Sequence, residues 1–168
     1  MTQAPDASFA DGAPLDRRRV RLRAETADDL AVLSALMQDA VGKTSEVAWL
    51  KRRGVFALVV SRFRWEDVDA AAAEGRAFER ARCGLHFECV REVRFKGFDV
   101  GKGQQAFELL SLGFEPRGED GAGRVTIECA GGAAFALDVE TLDARMADMG
   151  EVWETKAMPR HAEADDEA

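Results

Sequence analysis

The chain has 168 residues, a net charge of −8 and a hydrophobic fraction of 46%. That length suits one domain, and that apolar fraction can supply its core. The acidic balance argues against nucleic acid as a partner, and no window approaches the roughly 18 apolar residues a membrane-spanning helix needs. Cys83, Cys89 and Cys129 form no CxxC pair, and the N-terminal stretch lacks a signal-peptide core. These features predict reduced thiols and a cytoplasmic location.

Residues 1–16 are rich in Ala, Pro, Asp and Gly without periodicity and are expected to be a disordered arm. A single domain is expected over 17–159, followed by an acidic tail over 160–168. RRRVRLRA, Arg17 to Ala24, alternates Val20 and Leu22 with arginines, a half-buried strand pattern. Its arginines read either as an edge strand guarded against edge-to-edge pairing or as a site for an acidic partner. TADDLAVLSALMQDAV, Thr26 to Val41, predicts a helix. Thr26 is its N-cap with Asp29 three residues on, Leu30, Leu33, Leu36 or Met37 and Ala40 form its apolar stripe, and Gly42 is its C-cap. Gly42-Lys43-Thr44 lacks the upstream glycine of a phosphate-binding loop, since that position is Met37.

Val47 to Leu50 predicts a strand, and Lys51-Arg52-Arg53-Gly54 a turn. VFALVVSRFRW, Val55 to Trp65, predicts a central strand whose second half alternates. Phe63 and Trp65 then share the buried face of Val59, and Arg62 and Arg64 point away from it. Glu66 to Arg82 reads as a long polar connection, either a lid or a linker. Cys83 to Lys96 predicts one long strand bent near Val90. Ala106 to Glu115 predicts another, with Leu110, Leu112 and Phe114 on one face. Two strands around Gly131-Gly132 follow, with Val125, Ile127, Cys129, Phe135, Leu137 and Val139 inward. A helix is expected from Glu140 or Thr141 to Gly150, burying Leu142, Met146 and Met149.

The result is an α+β fold: a curled, mostly antiparallel sheet of about seven strands, with an early helix and a C-terminal capping helix. This order of elements resembles the pleckstrin-homology-like half-barrel.

Chemistry-bearing motifs are sparse. Cys83-x-x-His86-x-x-Cys89 cannot hold one zinc on a strand, because the period of two puts His86 on the opposite face from the cysteines. No GxSxG, HExxH or GxGxxG occurs, and His86 and His161 are the two histidines. No catalytic residue, metal ligand or cofactor is assigned.

The strings DDLAVLSALMQDAV, WL, FALVVSRFRWE, LHFECVREVRFKG, AFELLSLGFEP and IECAGGAAFALDVE, in that order, resemble the bacterial domain of unknown function 2948 family from about Val20 to Pro159. The resemblance implies a small cytoplasmic bacterial protein and carries over no activity, cofactor or catalytic residue. The leading expectation is a non-catalytic interaction or regulatory module that receives an acidic peptide, an anion or a partner protein on a basic edge, Arg17 to Arg23 (Arg21 and Arg23 in particular) and Lys51 to Arg53, with Arg62 and Arg64 adding charge to one strand face. The rival is a small-ligand protein or enzyme with its site near His86 and the 66–82 connection. Homodimerisation through an exposed strand edge is a third reading.

Overall fold

The computed structural model describes residues 19–99 and 103–160. The expected arm at 1–16, His161 and the acidic tail beyond Arg160 lie outside the described residues.

Helix α1 (Ala27–Met37) starts as its sequence dictates. The Asp29 N–H donates to Thr26 Oγ1 at 3.1 Å, and the Thr26 N–H donates to Asp29 Oδ2 at 3.2 Å, an aspartate capping box. Leu30, Leu33 and Met37 are buried. The helix stops at Met37, four residues before its expected end. Gln38 is extended, its carbonyl accepts from the Trp65 indole N–H at 2.9 Å, and Asp39 adopts φ 62°. Gly42 is therefore no C-cap. It lies in a strand, where a Cβ would come within 2.5 Å of the Phe107 ring.

Among the described residues, nine strands rather than the expected seven or so flank this helix: β1 (Arg21–Ala24), β2 (Val41–Leu50), β3 (Val55–Phe63), β4 (Phe78–Phe87), β5 (Val90–Lys96), β6 (Ala106–Pro116), β7 (Gly123–Cys129), β8 (Ala134–Val139) and β9 (Ala144–Thr155). They form one antiparallel sheet in the order β1-β9-β4-β3-β2-β6-β7-β8-β5. The sheet curls over a single core without closing. Phe56 of β3 packs on Phe135 of β8 at 5.5 Å between ring centroids, and Phe107 of β6 packs on Phe135 at 5.4 Å. Among the described residues, no helix is long and apolar enough to cross a membrane.

Other expectations also need correction. The stretch expected to be a C-terminal helix is β9, which pairs with both β1 and β4, so the capping helix of the pleckstrin-homology-like outline is not there. Leu142, Met146 and Met149 fit a helical stripe, but Ala144, Met146 and Asp148 are the residues buried at a period of two, and Met149 is 41% exposed. The expected strand from Cys83 to Lys96 is two strands, broken where Cys89 turns at φ 57° and the chain leaves β3 and β9 to pair with β8.

The face of β6 is also reversed in its first half. Phe107 and Leu109 are buried and Leu110 is exposed, because a bulge at Leu110 inverts the alternation before Leu112. The Leu112 N–H donates to Ser34 Oγ of α1 at 2.9 Å just beyond the bulge.

Strand β3 turns its other face to the core. Phe56, Leu58, Val60 and Arg62 form its inward row, so Arg62 lies on the core side rather than away from it. Phe63 is also buried, but on the other face, under Trp65 at 4.7 Å and Phe78 at 5.8 Å. The connection after β3 is folded: a short 3-10 turn (Trp65–Asp67), then α2 (Val68–Glu74), capped by Gly75 in the left-handed conformation. Arg76 ties back to both oxygens of Asp67 at 2.7 and 2.8 Å.

Candidate ligand-binding site

Strand β2 keeps one partner and loses the other along its length. It pairs with β3 at Val41–Gly42 and again, past a bulge, at Val47–Leu50, whereas β6 pairs with Val41 to Lys43 alone. Among the described residues, its second edge has no partner strand beyond Lys43, and strand β5, at the end of the sheet, pairs with β8 alone and also keeps an open edge. The two free edges flank one opening.

That opening is pinned at both ends. At one, the Val90 N–H donates to the Gly54 carbonyl at 2.9 Å. At the other, the Thr44 N–H donates to the Gln105 carbonyl at 2.8 Å, and the Gln105 N–H donates to Thr44 Oγ1 at 2.9 Å. Between them lies a cavity of about 410 Å³, walled by Val47 and Trp49 on one side and by Phe95 and Phe98 on the other, with Phe135 also lining it. Phe98 stacks on Phe135 at 4.8 Å, and Phe95 meets Phe135 edge-on at 5.6 Å. Phe95 is 53% exposed despite these contacts. Thr44 and Gln105 add polar groups to a mostly apolar wall. Such a chamber can take an apolar or aromatic group and orient it by a few hydrogen bonds.

The arginines singled out from the sequence are scattered. Arg62 is fully buried. Its Nε and Nη2 donate to Asp148 at 2.8 and 2.7 Å, and its Nη1 and Nη2 donate to Glu66 at 2.9 and 2.6 Å. The Val20 N–H adds a bond to Asp148 Oδ2 at 2.9 Å. Burial alone would raise the Asp148 carboxyl, but the hydrogen bonds from Arg62 and Val20 outweigh it and hold the group below its ordinary range. Arg64 is 5% exposed and bonded to Glu79. Both guanidinium groups are occupied by carboxylates and present no charge to solvent.

Arg21 and Arg23 are exposed on β1, at the sheet margin away from the cavity. Arg23 bonds both oxygens of Asp143, each at 3.1 Å, and pairs with Glu25 at 3.0 Å. His86 sits in register with Ala57 and Arg145 on the outer side of the sheet, with its side chain 38% exposed and 3.9 Å from Glu88. It lines none of the cavities described here and lies at the opposite end of β4 from the α2 connection. Cys83 is buried, and burial pushes its thiol up to about 12. Cys89 is exposed in the turn. Among the described residues, no group of three or more His, Cys, Asp and Glu side chains is placed to hold a metal ion.

A second cavity of about 470 Å³ is lined by Lys43, Ser61, Arg80 and Arg82. Arg80 is held there by Ser61, through Oγ at 3.1 Å and the carbonyl at 3.0 Å, and Arg82 pairs with Glu46. A third, of about 690 Å³, lies at the pinned Gly54 end between the Lys51–Arg53 turn and Val90 to Arg91.

The aromatic chamber escaped the sequence reading because its walls come from β2, β5 and β8, which share no sequence spacing. One signal was present: Trp49 and Phe95 stand in short alternating runs rich in charge, where a large aromatic side chain is hard to cover. Comparison with curated proteins and with solved structures yields no match. A family model does match, over residues 20–161, and on that coverage the chain belongs to DUF2948, a family described as protein of unknown function.

Proposed function

We propose that the protein is a non-catalytic recognition module and that the aromatic chamber between β2 and β5 is its binding site. The observation that carries this reading is the partly exposed aromatic wall of Trp49, Phe95 and Phe98 around a cavity of about 410 Å³. That volume falls within the roughly 300–1,000 Å³ of ligand sites, and an apolar hollow with a few polar groups is their usual chemistry. In this reading Arg62 and Arg64 act as structural ion pairs, and Arg21 and Arg23 form an accessory basic margin. The exposed position of His86, with Glu88 beyond hydrogen-bond reach, gives the enzymatic alternative little support. Three unpaired cysteines fit a protein that works in the cytoplasm.

The test is binding of the apolar dye 8-anilinonaphthalene-1-sulfonate to the native protein. Saturable fluorescence enhancement is expected, weakened about tenfold, or ~1.4 kcal/mol, by Trp49→Ala or Phe98→Ser. Equal binding by both variants, or dye binding only under partly denaturing conditions, overturns the assignment.

A further inference from the structure

We infer that the natural occupant of this chamber is an extended peptide segment that adds as a strand along β5, with one large apolar side chain in the aromatic hollow and acidic residues toward the Gly54 end. The inference rests on the chamber being the binding site and adds two observations to it. One is the backbone. Among the described residues, the β2 edge beyond Lys43 and the outer edge of β5 both lack a partner strand, and both border the same opening. Unpaired strand edges template the pairing of another chain, and β-strand addition draws its affinity from such main-chain groups and its specificity from pockets for alternate side chains. Strand β5 is open to this contact: Arg91, Glu92, Arg94, Phe95 and Lys96 are all exposed.

The other observation is charge. At the Gly54 end stand Lys51, Arg52 and Arg53, all exposed on their turn, with Arg91 across the cavity. None of the three turn cations has an ion-pair partner among the described residues. Arg91 pairs with Glu140 at 3.1 Å, and Glu88 is the other carboxylate lining that cavity. Cations thus outnumber carboxylates here, on a chain whose net charge is −8. An acidic segment is complementary to this end, and a basic one is repelled by it. A peptide running antiparallel to β5 alternates its side chains. One set turns toward Trp49, Phe98 and Phe135, and the other faces solvent beside Arg94 and Glu92.

The experiment is selection from a displayed library of random octapeptides on the full chain. The best capped peptide is then titrated against the wild type, Phe95→Ser, and a triple charge reversal, Lys51→Glu, Arg52→Glu and Arg53→Glu. Selected peptides are expected to carry one aromatic or large aliphatic residue flanked on one side by Asp or Glu. Each variant should weaken binding about tenfold or more with its melting temperature nearly unchanged, and the charge-reversed variant should lose most of the salt dependence. Amide hydrogen exchange over Arg91 to Lys96 should slow when peptide binds.

Selected peptides whose affinity neither variant changes, or protection that falls on β1 instead of β5, overturn the inference. So does concentration-dependent dimerisation that protects β5 without peptide, which would name a second copy as the occupant. An empty selection alongside chamber-specific dye binding sinks the peptide and keeps the chamber. Loss of both sinks the two readings together.

Discussion

Two regions of this sheet break the rule that apolar residues go inside and charges outside, and they break it in opposite ways. Around β3 and β9 charges are buried: Arg62 is 0% and Asp148 4% exposed. Along the opening between β2 and β5 apolar groups are left out: Phe95 is 53% exposed, and Trp49 and Phe98 are only partly covered. The first violation is compensated inside the molecule. Arg62 meets two carboxylates in bidentate fashion, and Asp148 also receives the Val20 N–H. The second has no such internal remedy. A compensated violation reads as architecture, whereas an uncompensated one marks a surface that another molecule can complete.

The sharpest break of the comparison is Met146→Asp. Met146 is 1% exposed in β9 beside Asp148, so a new carboxylate there has no partner. We expect no cooperative folding, read as loss of the thermal transition in near-ultraviolet circular dichroism. A soluble, cooperatively melting variant would show that β9 is peripheral.

Next comes Arg62→Met. Removing one member of a buried ion pair leaves the other uncompensated, typically at about 3–5 kcal/mol. We expect a loss of that order in urea denaturation, with much of it recovered in Arg62→Met/Asp148→Leu. Failure of the double variant to recover would place the stabilising contribution in Glu66 rather than in the pair.

The third prediction is a pH dependence. The Asp148 carboxyl is held below its ordinary value in the folded protein. Its contribution is therefore fully present above about pH 4, the unfolded value, and is lost as pH falls through the lower folded one. Melting temperature should drop on acidification below about pH 4, and Asp148→Asn should drop less steeply over the same window. Asp138, lowered by its hydrogen bond from Arg124, contributes in the same direction and remains in the variant. Parallel slopes for the two proteins would remove Asp148 from the account.

Smallest in stability is Phe95→Ser, which truncates a half-exposed side chain. A change under ~1 kcal/mol is expected, together with impaired dye binding at the chamber. A large loss of stability would mean that Phe95 belongs to the core.

This contrast also explains which parts of the fold were legible in the sequence. The Thr26 to Asp29 capping box, the Lys51–Gly54 turn and the inward rows of β7 and β8 are local patterns, and local physics decides them. Arg62 and Asp148 obscured their own strands. Each carries a charge that ordinarily points to water, so the row Phe56, Leu58, Val60 looked interrupted at Arg62, and the row Ala144, Met146 looked interrupted at Asp148. Their separation of 86 positions hides the fact that each explains the other. The misreading of β9 as a helix has the same source, because with Asp148 discounted the remaining apolar residues fit helical spacing. Of the candidate site, Trp49 and Phe95 were visible as residues, but the opening between them depends on where β2 leaves β6.

The position of β9 has a consequence for how the chain is made. The last strand in sequence lies between the first and the fourth, and Val20 and Asp148, 128 positions apart, exchange backbone and side-chain bonds. Until that strand leaves the ribosome, β4 has an open edge, β1 has no partner and Arg62 lacks Asp148. The sheet therefore closes only once β9 has been made, through contacts of long sequence separation that slow folding. For that interval the nascent chain carries a further unpaired edge, on β4, a template for mispairing until β9 covers it.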